Sequence, residues 1–197
     1  MGFRISWLAT QQPLPTVLAA LQFKVTGEAG AYYDFSFSVG ALANGWTIVW
    51  SEDEEYCSPS LGVALSAESA VLICWVNETV MNSSTRYFDR GRQLWHVWHE
   101  GHEDPSHIAS EGSPPDTLAS LISDARQAQS EDKEVDFLFD VPLNVAEQLC
   151  GFKHDDFADE VEFMEIQSTD PDYAPKMRPA SGLKTPVKGF WSRIFGR

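Results

Sequence analysis

Residues 34–50, DFSFSVGALANGWTIVW, carry the clearest local fold signal in the chain. Apolar and polar side chains alternate on both sides of Asn44-Gly45, as they do in a strand that turns one face to a core. Asn-Gly is the dipeptide favoured by a type I′ turn, because both central residues of that turn need a positive φ. The stretch therefore predicts an antiparallel β-hairpin that turns at Asn44-Gly45.

Several other segments have the β-branched and aromatic content of strands. Short polar breaks separate four of them, which predicts an antiparallel meander. The end of the acidic segment 152–166 also has the composition of a strand. The predicted strands are FRISWLA (3–9), AVLICWVNE (70–78), SSTRYF (83–88), QLWHVWH (93–99), HIASEG (107–112) and VDFLFD (135–140).

Four segments have apolar residues at helical spacing, with plausible start and stop residues. They cover 13–23, 58–66, 115–129 and 141–150. Ser58 and Asp140 stand where an N-cap is expected, and Gly151 stands where the last helix should stop. Together with the strands, these helices predict a single α+β domain over residues 1–167. We expect a mainly antiparallel meander sheet packed by three to four helices.

The composition is that of a folded domain in a reducing compartment. The 197 residues are 43% hydrophobic and include seven Trp and twelve Phe, enough for a full core. Three cysteines lie far apart without a C-x-x-C spacing, so neither a disulfide framework nor a zinc knuckle is indicated. No apolar run reaches the ~20 residues of a membrane span. We therefore expect a cytoplasmic protein without a membrane span.

The chain is strongly acidic, and its charge is unevenly distributed along the sequence. The net charge is −15 and the isoelectric point about 4.5. Six basic and two acidic residues after residue 167 leave −19 for residues 1–167. An acidic body argues against nucleic acid and favours a basic protein as partner. The Pro-rich segment 168–197 is predicted to be a basic tail that is either flexible or docked.

Two features of this distribution are candidate interaction sites. Phe190, Trp191 and Phe195 share a helical face at the tip of the tail, which could meet a membrane surface, a partner's groove or the acidic domain itself. Two acidic runs could be solvated faces or a docking surface for a basic partner. Their candidate partner-binding residues are Glu52, Asp53, Glu54, Glu55, Asp155 and Asp156.

Four of the five histidines lie in residues 94–107, LWHVWHEGHEDPSH. Strand alternation places His96 and His99 on opposite faces. If the loop is centred near Glu103, His99 lies opposite His107, and the three residues could hold Zn²⁺ or Ni²⁺. A solvated loop end and a proton switch are the alternatives. A register slip of one residue would separate the two histidines.

Catalytic signatures offer little support for an enzyme. The lipase-type serine motif, the phosphate and dinucleotide loops, the zinc-protease helix and the EF-hand loop are all absent. His154 and Asp155 form a His-Asp pair like that of one class of metal-dependent phosphohydrolase. The pair follows the helix stop at Gly151 and lacks an upstream helical histidine. This pattern favours a non-enzymatic protein.

Three stretches, MGFRISW, GRQLWHVWHEG and VDFLFDVPLNVAEQLCGFKHD, together resemble a group of uncharacterised bacterial cytoplasmic proteins. The resemblance covers residues 1–157 and implies a bacterial cytoplasmic protein. It implies no activity. The His-rich insertion and the basic tail lie outside the shared pattern.

Three functional hypotheses follow from the sequence. The first is a non-enzymatic module that binds a basic protein, for example an immunity protein that neutralises a toxin. The second is a small metal-binding protein or metal-dependent hydrolase that uses His99 and His107. The third is a regulatory module tethered by the C-terminal tail.

Overall fold

The computed structural model describes residues 2–155, 161–170 and 173. Within them, nine strands form one antiparallel sheet in the order β2-β9-β3-β4-β1-β5-β6-β7-β8. The strands are β1 (Arg4–Thr10), β2 (Phe23–Gly30), β3 (Phe37–Ala41), β4 (Thr47–Ser51), β5 (Val71–Asn77), β6 (Asn82–Asp89), β7 (Arg92–Glu100), β8 (Ala109–Gly112) and β9 (Phe163–Ser168). The helices of this region are α1 (Leu14–Leu21), α2 (Pro59–Leu65), α3 (Thr117–Glu131) and α4 (Val141–Cys150).

The first strand lies at the centre of the sheet. β1 pairs with β4 on one side, where Trp7 faces Trp50, and with β5 on the other, where Trp7 faces Cys74. All its residues from Ile5 to Thr10 are buried. Because alternate side chains point to opposite faces, both faces of the sheet must be covered at this position.

Helices α3 and α4 cover one face, which we call the α3–α4 face. Trp7, Trp50, Leu72 and Val97 point to it from four strands and are buried there. Leu143 is among the helix residues that pack against them, without exposure. This larger of the two cores contains most of the buried aromatic side chains.

Helices α1 and α2 cover part of the opposite face, which we call the α1–α2 face. Val17 of α1 and Leu65 of α2 are buried there with Leu8, Val49 and other residues of the sheet. These two helices have only eight and seven residues, so they cannot shield a nine-stranded sheet along its whole width.

The α+β fold predicted from the sequence is confirmed, with the predicted number of helices in the described part of the chain. The meander is confirmed as well, because β5, β6, β7 and β8 are neighbours in chain order. Ser58 caps α2 by accepting a hydrogen bond from the backbone of Leu61, as its position predicts. None of the described helices has the length and apolar character needed to cross a bilayer.

The hairpin at 34–50 forms, but its turn is of another type. The loop between β3 and β4 spans residues 42–46, where Gly45 donates to the carbonyl of Leu42. Gly45 has a φ of 89°, whereas Asn44 is not among the residues with positive φ, so the predicted type I′ geometry is wrong. The side chain of Asn44 instead accepts from Trp46 and donates to Cys150.

Two other expectations need correction, and one strand was missed. Residues Phe137–Asp140 form a 3-10 turn that leads into α4, where a strand was predicted. Asp140 precedes α4 but makes no side-chain cap, because its carboxylate binds the ammonium group of Lys153 at 3.0 Å. The edge strand β2 was not predicted.

Helix α2 depends on a glycine for its contact with the sheet. A Cβ atom at Gly62 would lie 2.6 Å from the ring of Phe88, which is fully buried. We expect Gly62→Ala to lower the free energy of unfolding by about 1–3 kcal/mol, since the overpacked ring must shift. Urea denaturation checks this, with Val63→Ala at an exposed position of the same helix as control. A stabilised Gly62→Ala protein would contradict the close contact, because alanine is the better helix former.

Candidate functional site

One row of side chains crosses the α1–α2 face of the sheet. Each member is the direct cross-strand partner of the next, so all members point to the same side. Two tryptophans in the second half of the row are partly exposed. The row consists of Phe37, Ser51, Ser6, Trp75, Ser84, Trp98 and Ala109.

The acidic loop between β4 and α2 is fastened onto this row at Ser6. The hydroxyl of Ser6 donates to the carbonyl of Asp53 at 2.7 Å and accepts from the backbone of Cys57 at 3.1 Å. Ser51 also holds the loop, because its hydroxyl accepts from the backbone of Asp53 at 2.9 Å. These bonds satisfy two buried hydroxyl groups and fix the loop backbone against the sheet.

The four acidic residues of the loop differ in their surroundings. Glu54 binds Arg4 as an ion pair and accepts from Asn77, so its charge is neutralised within the domain. The hydrogen bond between Arg4 and Glu54 raises the pKa of the Arg4 guanidinium. Glu52 and Asp53 are partly exposed and Glu55 is exposed, so these three present negative charge at the surface.

Trp75 and Trp98 add apolar surface area to the sheet face beside the acidic loop. They flank Ser84 on adjacent strands of the row, at about 5 Å from one strand to the next. Helix α2 contacts β5, β6 and β7, but its glycine packs at Phe88, near the other end of β6. We call Glu52, Asp53, Glu55, Trp75 and Trp98 the acidic-aromatic surface.

A polar network borders the surface on its β8 side. Arg86 donates to the side-chain oxygen of Gln93 at 3.1 Å, and Gln93 donates to Glu111 at 2.7 Å. The ring of His96 stacks on Trp98, with centroids 4.3 Å apart and planes inclined by 16°. Trp98 thus contacts His96 of its own strand and pairs with Ala109 of β8.

His96 is a buried histidine without a full set of partners. Its side chain is 9% exposed, and its Nε2 atom has no hydrogen-bond partner in the described part of the chain. Burial, with a smaller contribution from Arg86, lowers the pKa of His96 to about 4. The ring is therefore neutral at pH 7. Strand alternation predicted correctly that His96 shares a face with Trp98 and is separated from His99.

His99 lies on the α3–α4 face and binds two oxygen acceptors. Its Nδ1 atom is 2.5 Å from the carbonyl oxygen of His107, and its Nε2 atom is 2.9 Å from Oδ2 of Asp136. A carbonyl can only accept, so Nδ1 carries a proton. Nε2 and Oδ2 of Asp136 form the second hydrogen bond of the ring. Gly101 makes room for this pair, since a Cβ there would lie 2.7 Å from both Nε2 of His99 and Oδ2 of Asp136.

The predicted metal-binding residues occupy different environments. Val97 and Trp98 pair with Ser110 and Ala109, so the hairpin register differs by one residue from the pairing that opposes His99 to His107. The two rings are still neighbours, at 6.2 Å between centroids. However, Nδ1 of His107 accepts from the backbone of Glu100, and Glu103 lies 3.7 Å from His102.

Across the described residues, no group of three His, Cys, Asp or Glu side chains could hold a metal ion. Both nitrogens of His99 are already occupied. The geometry thus gives the Zn²⁺ or Ni²⁺ hypothesis no support, and elemental analysis of the protein purified without a tag remains its direct measurement.

The remaining candidate residues lie apart from the acidic loop. Asp155 belongs to a separate ionic cluster, 3.5 Å from the ammonium of Lys153, which also binds Asp140. His154, predicted as half of a His-Asp pair, is buried there with Nε2 3.3 Å from Glu78. Asp156, Phe190, Trp191 and Phe195 lie outside the described residues.

The fold and the surface define this protein as an α+β domain with a partly uncovered antiparallel sheet. Comparisons with protein families, with curated proteins and with solved structures find no match to this chain. The function of the chain is therefore inferred from the residues of its surface.

The variant Asp136→Ala tests how much the hydrogen bond between His99 and Asp136 contributes to the stability of the fold. The carboxylate is 13% exposed and the imidazole ring is fully buried, so Asp136→Ala leaves the buried Nε2 atom of His99 without its hydrogen-bond partner. We expect the free energy of unfolding at pH 7 to fall by about 1–3 kcal/mol in urea titrations. Glu103→Ala is the control. The Glu103 side chain is 69% exposed, so its contact with His102 should contribute little to stability. Equal losses in the two variants would refute the buried pair.

The stability of the protein should depend on the titration of His96. In the unfolded chain the imidazole has its ordinary pKa of 6.5, and in the folded chain about 4. The unfolded state therefore binds more protons between these values, and stability falls as the pH falls from about 6.5 towards 4, by at most about 3 kcal/mol.

His96→Phe retains an aromatic ring beside Trp98 and cannot titrate. We expect it to flatten this part of the stability profile, measured by urea denaturation at pH 7, 5.5 and 4.5. His102→Phe, at a site where the histidine is 46% exposed, is the control and should leave the slope unchanged. If the slope of His96→Phe equals that of the wild type, another group is responsible.

Proposed function

We propose that the protein is a non-enzymatic interaction module that binds a basic protein through its acidic-aromatic surface. The observation that supports this proposal is that the loop carrying three surface carboxylates is bound at Ser6 to the same sheet face as two partly exposed tryptophans, a face that the described residues cover only in part. Tryptophan is enriched among the residues that dominate binding energy, whereas charged residues around it guide the encounter.

The charge of the domain favours rapid association with a cationic partner. A body of −19 attracts positive charge over distances of about 8–10 Å at ordinary ionic strength. The surface carboxylates then oppose basic side chains at close range. Such steering raises the association rate much more than it lowers the dissociation rate.

The hydrogen bonds under the loop favour tight binding as well. Ser6 and Ser51 hold the backbone of Asp53, so the loop has less conformational freedom to lose when a partner binds. Preorganisation of this kind increases affinity without adding contacts. A toxin that acts on nucleic acid is a basic protein of the required kind, which makes an immunity protein the specific class that we favour.

Affinity capture from native lysate of the source cells tests the proposal at about 50 mM salt. We expect the wild-type chain to retain a basic protein in a stoichiometric amount and to lose it as salt increases. The charge variant Glu52→Gln/Asp53→Asn/Glu55→Gln should lose most of this binding, because the amides keep the loop hydrogen bonds but not the charge. The variant Trp75→Ala/Trp98→Ala should lose it as well.

A matched control separates this surface from general acidity. Asp124→Asn/Glu131→Gln/Glu134→Gln removes the same charge from exposed positions on and beside α3, on the opposite side of the sheet. It should retain the partner almost fully. We would withdraw the proposal if no stoichiometric basic protein were captured, or if both charge variants lost binding equally.

A further inference from the structure

We propose that residues 174–197 of this chain dock onto its own acidic-aromatic surface and compete there with the basic partner. The competition rests on the proposed function, whereas the docking itself does not. Four observations support the proposal: the place where the segment begins, its reach, its charge and the incomplete packing of the sheet face that it would cover.

The segment begins beside the surface. Tyr173 packs in an aromatic cluster, with its ring centroid 6.0 Å from Phe23, 6.1 Å from Phe37 and 6.5 Å from Tyr56. Phe37 is the first member of the cross-strand row, and Tyr56 directly follows the acidic loop. Burial, with a smaller contribution from the charge of Asp53, raises the pKa of Tyr173. The chain thus leaves the domain at the acidic end of the surface.

The remaining chain is long enough to cross the surface. From Phe37 on β3 to Trp98 on β7 the row crosses five strand spacings, or about 24 Å. The 24 residues after Tyr173 can extend over at most about 80 Å. Less than half of that length suffices, and Phe190 and Trp191 near its end can reach Trp98 without strain.

The segment and the surface have complementary chemistry. Residues 174–197 contain six Lys or Arg residues and no Asp or Glu. Their charge is opposite to that of Glu52, Asp53 and Glu55. Phe190 and Trp191, which the sequence places on one helical face with Phe195, offer aromatic partners for Trp75 and Trp98.

The sheet face is incomplete beside Trp98. The side chain of His96 is nine-tenths buried against that tryptophan, and its buried Nε2 atom has no partner among the described residues. A buried nitrogen without a hydrogen bond is unfavourable. An occupant of this face that displaces the neighbouring side chains could bring a polar group to this nitrogen, whereas the acidic loop lies at the other end of the row.

Tethering turns a weak contact into an effective competitor. A segment linked close to its site is present at an effective concentration of about 1 mM. The docked segment would then keep basic proteins of low affinity away from the surface, while a partner of high affinity displaces it. Because the contact is largely ionic, it should weaken as salt rises.

Paramagnetic relaxation in the full chain tests the docking. A nitroxide label is attached at Ser192→Cys, beside Trp191, while the three native cysteines are buried. At about 20 mM salt we expect the backbone amides of 52–55 and the indole signals of Trp75 and Trp98 to lose at least half of their intensity. Signals of α3, on the opposite face, should keep theirs, and about 500 mM salt should restore the lost intensity.

Two controls keep this result interpretable. In a tail variant, all six basic residues of 174–197 are changed to Gln, and we expect its signals at the surface to remain intact. A mixture of isotope-labelled chain and unlabelled spin-labelled chain detects contact between copies. Uniform signal loss, no signal loss, or loss that occurs between copies would each overturn docking within the chain.

Titration with a ten-residue oligolysine then tests competition. The tail variant should bind this probe about tenfold more tightly than the wild type, the ratio expected for a weak contact at a millimolar effective concentration. Equal affinities would overturn the competition. If the tail docks but no basic protein is captured from lysate, the proposed function fails and the docking stands. Capture of a partner without relaxation effects would overturn the docking and leave the proposed function standing.

Discussion

The burial of β1 on both faces is the constraint on which the rest of this structure depends. Trp7 and Leu8 point to opposite sides of the same strand, and both are fully buried. Each face must therefore be covered where β1 passes. On one face, α4 packs against β5, β6 and β7, and Phe152 and Tyr32 pack on Trp7 and Trp50. On the other face, the two short helices leave part of the sheet uncovered by the described residues, and a loop takes their place above Ser6. The position of the acidic loop is thus a consequence of the sheet and not an independent insertion.

Ser6 and Ser51 explain why an acidic segment can cover a sheet. A helix would bring apolar side chains to this place, but here the sheet itself presents two buried hydroxyl groups that need partners. Backbone groups of Asp53 and Cys57 satisfy them. Hydrogen bonds of the main chain therefore hold the loop on the sheet, and most of its carboxylates are left at the surface. Glu54 turns to the domain, where Arg4 balances its charge, and Glu52 accepts a hydrogen bond from the hydroxyl of Ser36.

The sequence allowed the central and later parts of the fold to be predicted, because their signals are local. Alternation and polar breaks define the meander, and Ser58-Pro59 defines the start of α2. In contrast, β2 is composed mostly of exposed residues, with one glycine inside the strand and another at its end, and it pairs with β9 from the other end of the chain. Such pairing leaves no local pattern. The run 135–140 is apolar enough for a strand, but Asp136 accepts a hydrogen bond from Phe139 and stabilises a 3-10 turn instead.

The candidate site, like the fold, could be predicted from the sequence only in part. Composition predicted an acidic surface, but only the pairing of β1 with β5 and of β6 with β7 brings Trp75 and Trp98 to the side of the acidic loop. The histidines illustrate the opposite case, because a difference of one residue in register changes which groups meet. Within β7, Trp98 faces the open side, while the next residue, His99, faces inward and binds Asp136 and the β7–β8 loop. These buried hydrogen bonds fix the end of the strand on the α3–α4 face, and they thereby help to position Trp98 on the other face.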